Sequence, residues 1–177
     1  MLPDAGRYAG SSEANSNPSR LEKLYSEIRS VFGLIPDFFQ VLSPKVDQLE
    51  AIWGAYKTVV GKSGFPEKVR GMIRYEVAKA DGCPLCRDGH KDLLRMYGLT
   101  GEEIFLLDRE IRETRYDEKT KNLLIYSYAI AENPHQERET IEAFMGLGLS
   151  REELLEVSMI VNLHRALLEI AHSLGIH

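Results

Sequence analysis

No stretch of this sequence approaches the ~20 consecutive apolar residues that span a bilayer. The first residues also lack the basic-then-apolar layout of an export signal. Basic residues are scattered without clusters and the formal net charge is −5, so neither nucleic acid nor an anionic membrane surface is an expected partner. An alternating apolar and polar run of useful strand length is missing too. Cysteine is scarce, with only two in the chain, too few for a disulfide framework. What these absences leave is an all-α, non-membrane protein with an expected cytoplasmic location. In that reducing compartment a lone cysteine pair is more often catalytic or metal-binding than a structural staple.

At 177 residues, 44% of them hydrophobic and 28% charged, the chain is long enough to bury one substantial core. Residues 1–18 are rich in Gly, Ser and Asn, have few apolar anchors, and are expected to form a mobile arm. Residues 19–177 are expected to form a single helical domain. Leu21, Leu24, Tyr25, Ile28 and Val31 recur at helical spacing until Gly33–Pro36 ends the element. Phe38 to Leu42 form a short apolar turn, and Pro44 is expected to open a helix that buries Leu49, Ile52, Trp53, Tyr56 and Val60. A further helix is expected from Pro66 to about Ala80, broken by Asp81-Gly82. Two phrases fifty residues apart, beginning at Gly98 and Gly148, each place a glycine stop before a capping box, Thr100 with Glu103 and Ser150 with Glu153. Between them, Lys119–Glu132 and Pro134–Met145 have helical patterning. The last helix, from Arg151 to about Leu174, is apolar over too wide a surface for a simple surface helix, which places it centrally or at a subunit contact.

Both cysteines lie in the run Asp81-Gly82-Cys83-Pro84-Leu85-Cys86-Arg87-Asp88-Gly89-His90-Lys91-Asp92. Pro84 suits the first helical position, which makes Cys83 the N-cap and Cys86 the third helical residue. A cap side chain sits beside the backbone of that third residue, so the two sulfurs are expected within disulfide reach. His90 falls one turn beyond Cys86 on the same face, in position to bond the thiolate or to carry its proton. Unpaired N–H groups at a helix start favour an anion, so Cys86 is expected to ionise easily, below the usual pKa of about 8.5. Redox chemistry is therefore the leading reading. Zinc is an alternative, but a closed site needs a fourth ligand and no second Cys/His cluster exists in the sequence. Two inert buried thiols are another. A thioredoxin fold fits poorly, because the segment before the pair is helical rather than a strand.

On these residues the chain resembles the AhpD-like alkylhydroperoxidases, in the peroxidase-related branch of the carboxymuconolactone decarboxylase superfamily. The resemblance runs from about Leu21 onward and is carried by Cys83, Cys86 and His90. Supporting it are Gly33-Leu34-Ile35-Pro36-Asp37-Phe38, and Gly148-Leu149-Ser150 leading into a last helix with Asn162, Arg165 and Gly175. It implies a helical bundle of roughly six to eight helices, assembly into homo-trimers or hexamers, and no bound cofactor. It also implies reduction of a small hydroperoxide through a dithiol/disulfide cycle, with an external dithiol or thiol protein as electron donor. By matching positions, Cys86 is the attacking thiolate, Cys83 the resolving thiol and His90 the relay histidine. The family's relay glutamate would fall at Gly71, twelve residues before Cys83, and the family's histidine before the second cysteine is Leu85 here. Glu67, one turn before Gly71 on the same face, is the candidate replacement, ahead of Glu76, which is turned well off that face. His135, His164, His172 and His177 read as ordinary surface or half-buried side chains, with His164 or His172 lining the active pocket as the alternative, and Trp53 with Tyr56 reads as core. Disulfide reduction and a non-catalytic redox sensor are the alternative functions. Lactone decarboxylation is less favoured, since it makes no use of a cysteine pair.

Overall fold

The computed structural model describes residues 18–176, so the arm expected over 1–18 lies outside the described residues apart from Pro18, which opens the first helix. Among the described residues every regular element is helical. In chain order these are α1 (Pro18–Phe32), α2 (Asp37–Val41), α3 (Val46–Tyr56), α4 (Glu67–Asp81), α5 (Pro84–Met96), α6 (Gly101–Arg109), α7 (Glu118–Glu132), α8 (Arg138–Gly146) and α9 (Arg151–His172). A π-helical turn, Lys57–Gly61, prolongs α3, and a 3₁₀ turn, Ile111–Glu113, precedes α7. Eight of the nine helices among the described residues are at least seven residues long, matching the six to eight anticipated; the ninth is Asp37–Val41, expected as a turn, which closes into a short helix.

Helix α4 lies at the centre. It buries every residue from Gly71 to Ala78 and packs against α5, α7 and α9. Burial on all sides explains why its sequence lacks one clean polar stripe. The long α9 buries Leu154, Val157, Ile160, Val161, His164, Leu167, Leu168 and Ala171 while Leu155 and Met159 stay exposed at 61% and 47%. At the other end of the core Phe32, Phe39, Trp53 and Tyr56 form an aromatic cluster, with Trp53 and Tyr56 stacked at 5.6 Å and Phe39 edge-on to Trp53 at 5.5 Å. Trp53 is thus core, and its indole N–H is satisfied by Glu27 Oε2 at 2.9 Å.

Both capping boxes form. Thr100 Oγ1 accepts from Glu103 N and Ser150 Oγ from Glu153 N, while each glutamate accepts the cap residue's own N–H. Two starts lie two or more residues later than the sequence indicates. Helix α3 begins at Val46 rather than Pro44, since residues 42–44 complete the turn that closes α2. Helix α8 begins at Arg138 rather than Pro134. There Asn133 Oδ1 accepts from His135 N, and the Gln136 amide donates to the carbonyls of Ala129 and Asn133, so these side chains offer the backbone a turn in place of a helical start.

Candidate active site

The cysteine pair sits where α4 hands over to α5. Gly82, with φ of 74°, caps α4 in the left-handed region that costs a side chain free energy, and this reverses the chain immediately before Cys83. Cys83 is the N-cap of α5 with Pro84 behind it, and its sulfur accepts from Cys86 N at 3.2 Å, as the spacing predicts. Cys83 is 7% exposed and Cys86 half-buried, so Cys86 is the more accessible residue of the pair. Arg87 fastens this first turn to α6 through Asp108 Oδ1 at 2.6 Å, an oxygen that also accepts from Tyr75 OH.

His90 occupies its expected place one turn on, but its Nδ1 engages the Cys86 carbonyl oxygen at 2.7 Å rather than the sulfur. A carbonyl oxygen only accepts, so Nδ1 carries the proton in that bond. Burial, reinforced by the charge of Arg74, pushes the His90 pKa down to about 4 against the effect of this hydrogen bond. His90 is therefore a neutral imidazole at pH 7. Its ring lies edge-on to that of His164, 4.8 Å between centroids. His164 is 2% exposed, and both its ring nitrogens lack a hydrogen-bond partner among the described residues. Burial, then His90 and Arg74, hold its pKa well below the usual value.

A different histidine reaches the thiol. His172, the last residue of α9, brings Nε2 to 3.7 Å from Cys86 Sγ and 3.6 Å from Asp81 Oδ2. Nothing local in sequence announces a partner 86 residues away. Asp81 stands two residues before Cys83, and only the close of α9 over it shows its place in the site. The expectation of an easily ionised Cys86 is corrected: burial, then Cys83 and Asp81, push its thiol up to about 12. The helix start is outweighed because the sulfur leaves water and faces a second sulfur and a carboxylate.

The remaining candidates lie elsewhere. Glu67 is the exposed first residue of α4 and Asp81 its last, which separates them by about 21 Å at 1.5 Å per residue. Glu76 is wholly buried and pairs with Lys79 Nζ at 2.6 Å. At Gly71 a Cβ would stand 2.7 Å from Tyr97 Cδ2, so the tyrosine ring occupies the space a side chain there would need. Tyr97 OH in turn accepts from Arg74 Nη2 at 3.0 Å, and Tyr56 OH from Nη1 at 2.5 Å. Arg74 is 3% exposed and has no carboxylate partner among the described residues. Its uncompensated charge is one reason the neighbouring histidines stay neutral.

This helical arrangement is the AhpD-like fold. Solved structures superpose on it closely. The debrominase Bmp8, as a variant in complex with 2,3,4-tribromopyrrole, gives a TM-score of 0.77 at 16% identity, over 92% of this chain and 87% of that one. A peroxidase-related protein from Silicibacter sp. TM1040 gives 0.77 at 16%, over 93% and 87%. An AhpD-core, peroxidase-related protein from Ralstonia eutropha JMP134 gives 0.76 at 17%, over 100% and 90%. No family model and no curated protein matches the sequence. Among the described residues no helix is long and apolar enough to cross a membrane.

Proposed function

We propose that this protein is a cytoplasmic thiol oxidoreductase that reduces small hydroperoxides by cycling Cys83 and Cys86 between dithiol and disulfide. One observation carries the reading: the half-buried Cys86 sulfur has a resolving thiol, an imidazole and a carboxylate gathered within 4.8 Å. The likeness to peroxidase-related proteins of the same fold supports it.

Burial, Cys83 and Asp81 push the Cys86 thiol up, which favours the protonated form at rest and loss of the proton as the sulfur attacks. His172 Nε2 at 3.7 Å is the acceptor, and Asp81 at 3.6 Å stabilises the imidazolium that forms. Cys86 sulfur takes the terminal hydroxyl of the peroxide as the O–O bond breaks, and the departing alkoxide takes the proton from His172. The products are an alcohol and Cys86 sulfenic acid. Cys83 thiol then attacks that sulfur, and its proton leaves with the hydroxyl as water, giving the disulfide. An external dithiol restores the pair with two electrons. His90 is a positioning residue: its Nδ1–H holds the Cys86 carbonyl and with it the first turn of α5. Glu67, at the far end of α4, takes no part in these steps.

The test follows peroxide loss by metal-free, reduced protein with a dithiol donor, using an alkyl hydroperoxide, hydrogen peroxide, a disulfide and a brominated pyrrole side by side. Alkyl hydroperoxide is the expected substrate. Cys83→Ser keeps one equivalent of reaction, trapped as sulfenic acid, but does not turn over, whereas Cys86→Ser does neither. His172→Ala slows attack by about 10²-fold or more, more than His90→Ala does. A Cys86→Ser protein that still reacts with one equivalent of peroxide, or a wild type that consumes none, ends the proposal.

A further inference from the structure

From the sequence, zinc lacks a fourth ligand. The tertiary structure supplies one. Asp81 at the end of α4, Cys83 and Cys86 at the start of α5, and His172 at the end of α9 each offer a ligand atom, and the four atoms lie within 4.8 Å of one another. With Zn–S near 2.3 Å and Zn–N or Zn–O near 2.0–2.2 Å, the edges of a zinc tetrahedron measure about 3.3–3.8 Å. Two edges already have that length: Cys86 Sγ to His172 Nε2 at 3.7 Å, and His172 Nε2 to Asp81 Oδ2 at 3.6 Å. Closing the widest separation takes a shift of about 1 Å, within the compass of side-chain rotation.

A second observation points to a ligand independently. Asp81 Oδ2 is buried and has no hydrogen-bond partner among the described residues, the 3.6 Å contact with His172 being too long for one. A buried carboxylate oxygen left this way costs free energy that a cation would recover. Two sulfurs, an imidazole nitrogen and one carboxylate oxygen form a borderline-soft set, suited to Zn²⁺ and unsuited to Mg²⁺ or Ca²⁺, which take all-oxygen shells.

We infer that Asp81, Cys83, Cys86 and His172 form a tetrahedral site for Zn²⁺, or a cation of the same class, in the reduced protein. On binding, each cysteine thiol releases its proton and ligates as thiolate, His172 ligates through Nε2 as neutral imidazole, and Asp81 ligates as carboxylate. No electron is transferred. Four protein ligands leave no open coordination position, so the ion is held rather than used to activate water. It also ties three helix ends together. Resting on the function proposed above, one consequence follows: metal and peroxide compete for the same Cys86 sulfur, so the zinc-loaded protein reduces no peroxide until a chelator removes the ion.

The experiment uses the full chain, reduced and anaerobic, with Co²⁺ as the optical probe. One Co²⁺ per chain is expected, with thiolate-to-cobalt charge-transfer absorption and the intense visible bands of a four-coordinate ion, all lost when Zn²⁺ displaces it. Zn²⁺ is further expected to raise the thermal unfolding midpoint and to shield both cysteines from alkylation. His172→Ala and Asp81→Asn, each checked for helical folding by circular dichroism, weaken binding more than about tenfold. Absence of the thiolate–cobalt absorption in the wild type overturns the site, as does unchanged affinity and spectrum in either folded variant. Metal binding is measured without peroxide, and peroxide reduction with chelator present. A cobalt-binding protein inert to peroxide therefore sinks the peroxidase and leaves the site, whereas an active protein that binds no cobalt does the reverse.

Discussion

Replacing Glu76 by glutamine isolates the electrostatic cost of the central helix. Glu76 is wholly shielded from solvent in α4, with Lys79 Nζ 2.6 Å away. Burial pushes its pKa up from 4.5 to about 7, and the nearby lysine only partly offsets it. The gap between those values corresponds to about 3 kcal/mol, at about 1.4 kcal/mol for each tenfold change. Because the folded value lies above the unfolded one, the unfolded chain loses this proton first as pH rises. The stability contributed by protonated Glu76 is thus intact below about pH 4.5 and is lost as pH climbs to about 7 and beyond. Glutamine has the same shape and does not titrate. Denaturant unfolding of wild type and Glu76→Gln, at one protein concentration and in steps from about pH 4.5 to about pH 8, should show wild type losing about 3 kcal/mol relative to the variant. Contributions common to both proteins cancel in that difference. Parallel curves would refute the reasoning, and a wild type that gains on the variant as pH rises would show that Lys79 outweighs burial.

Gly71→Ala should lower stability by up to about 2 kcal/mol in thermal unfolding, because the added Cβ meets Tyr97 at 2.7 Å and overpacking of about 1–3 kcal/mol exceeds about 1 kcal/mol of gained helix propensity. An unchanged or raised midpoint would contradict that tight fit. His164→Phe removes two buried nitrogens that lack partners and should stabilise the protein by up to about 1 kcal/mol at pH 7, measured by denaturant titration. The folded pKa of His164 lies below 6.5, so its stability is lost as pH falls; the variant should decline less steeply in acid, and a steeper decline would count against this. For assembly, the exposed Leu155 and Met159 on α9 accompany an expected trimer or hexamer, and a monomer mass by light scattering at micromolar concentration would overturn it.

Local signals in the sequence account for most of the helical framework and for one half of the site. Helical spacing, Pro at helix starts, glycine stops and the Thr100 and Ser150 capping boxes act over three or four residues, so the chain encodes them wherever it folds. The geometry of Cys83 and Cys86 belongs to this class, since one helix start places both sulfurs. Boundaries slipped at Pro44 and Pro134, where the neighbouring turns engage the backbone that a helix start would have used. The other half of the site was decided by packing. His172 meets Cys86 because α9 crosses α4 and ends over the cysteine turn, and no short-range pattern records that crossing. Packing also reversed the expected acidity of Cys86: a helix start alone favours the thiolate, whereas the folded chain surrounds it with apolar bulk, a second sulfur and Asp81. In the same way His90, expected at the sulfur, is held by the carbonyl of its own helix, and Gly71 is the space that Tyr97 fills. Periodicity and capping depend on neighbours in the chain, which one sequence displays. Desolvation and contacts between distant helices depend on which faces meet, and only the tertiary structure sets that.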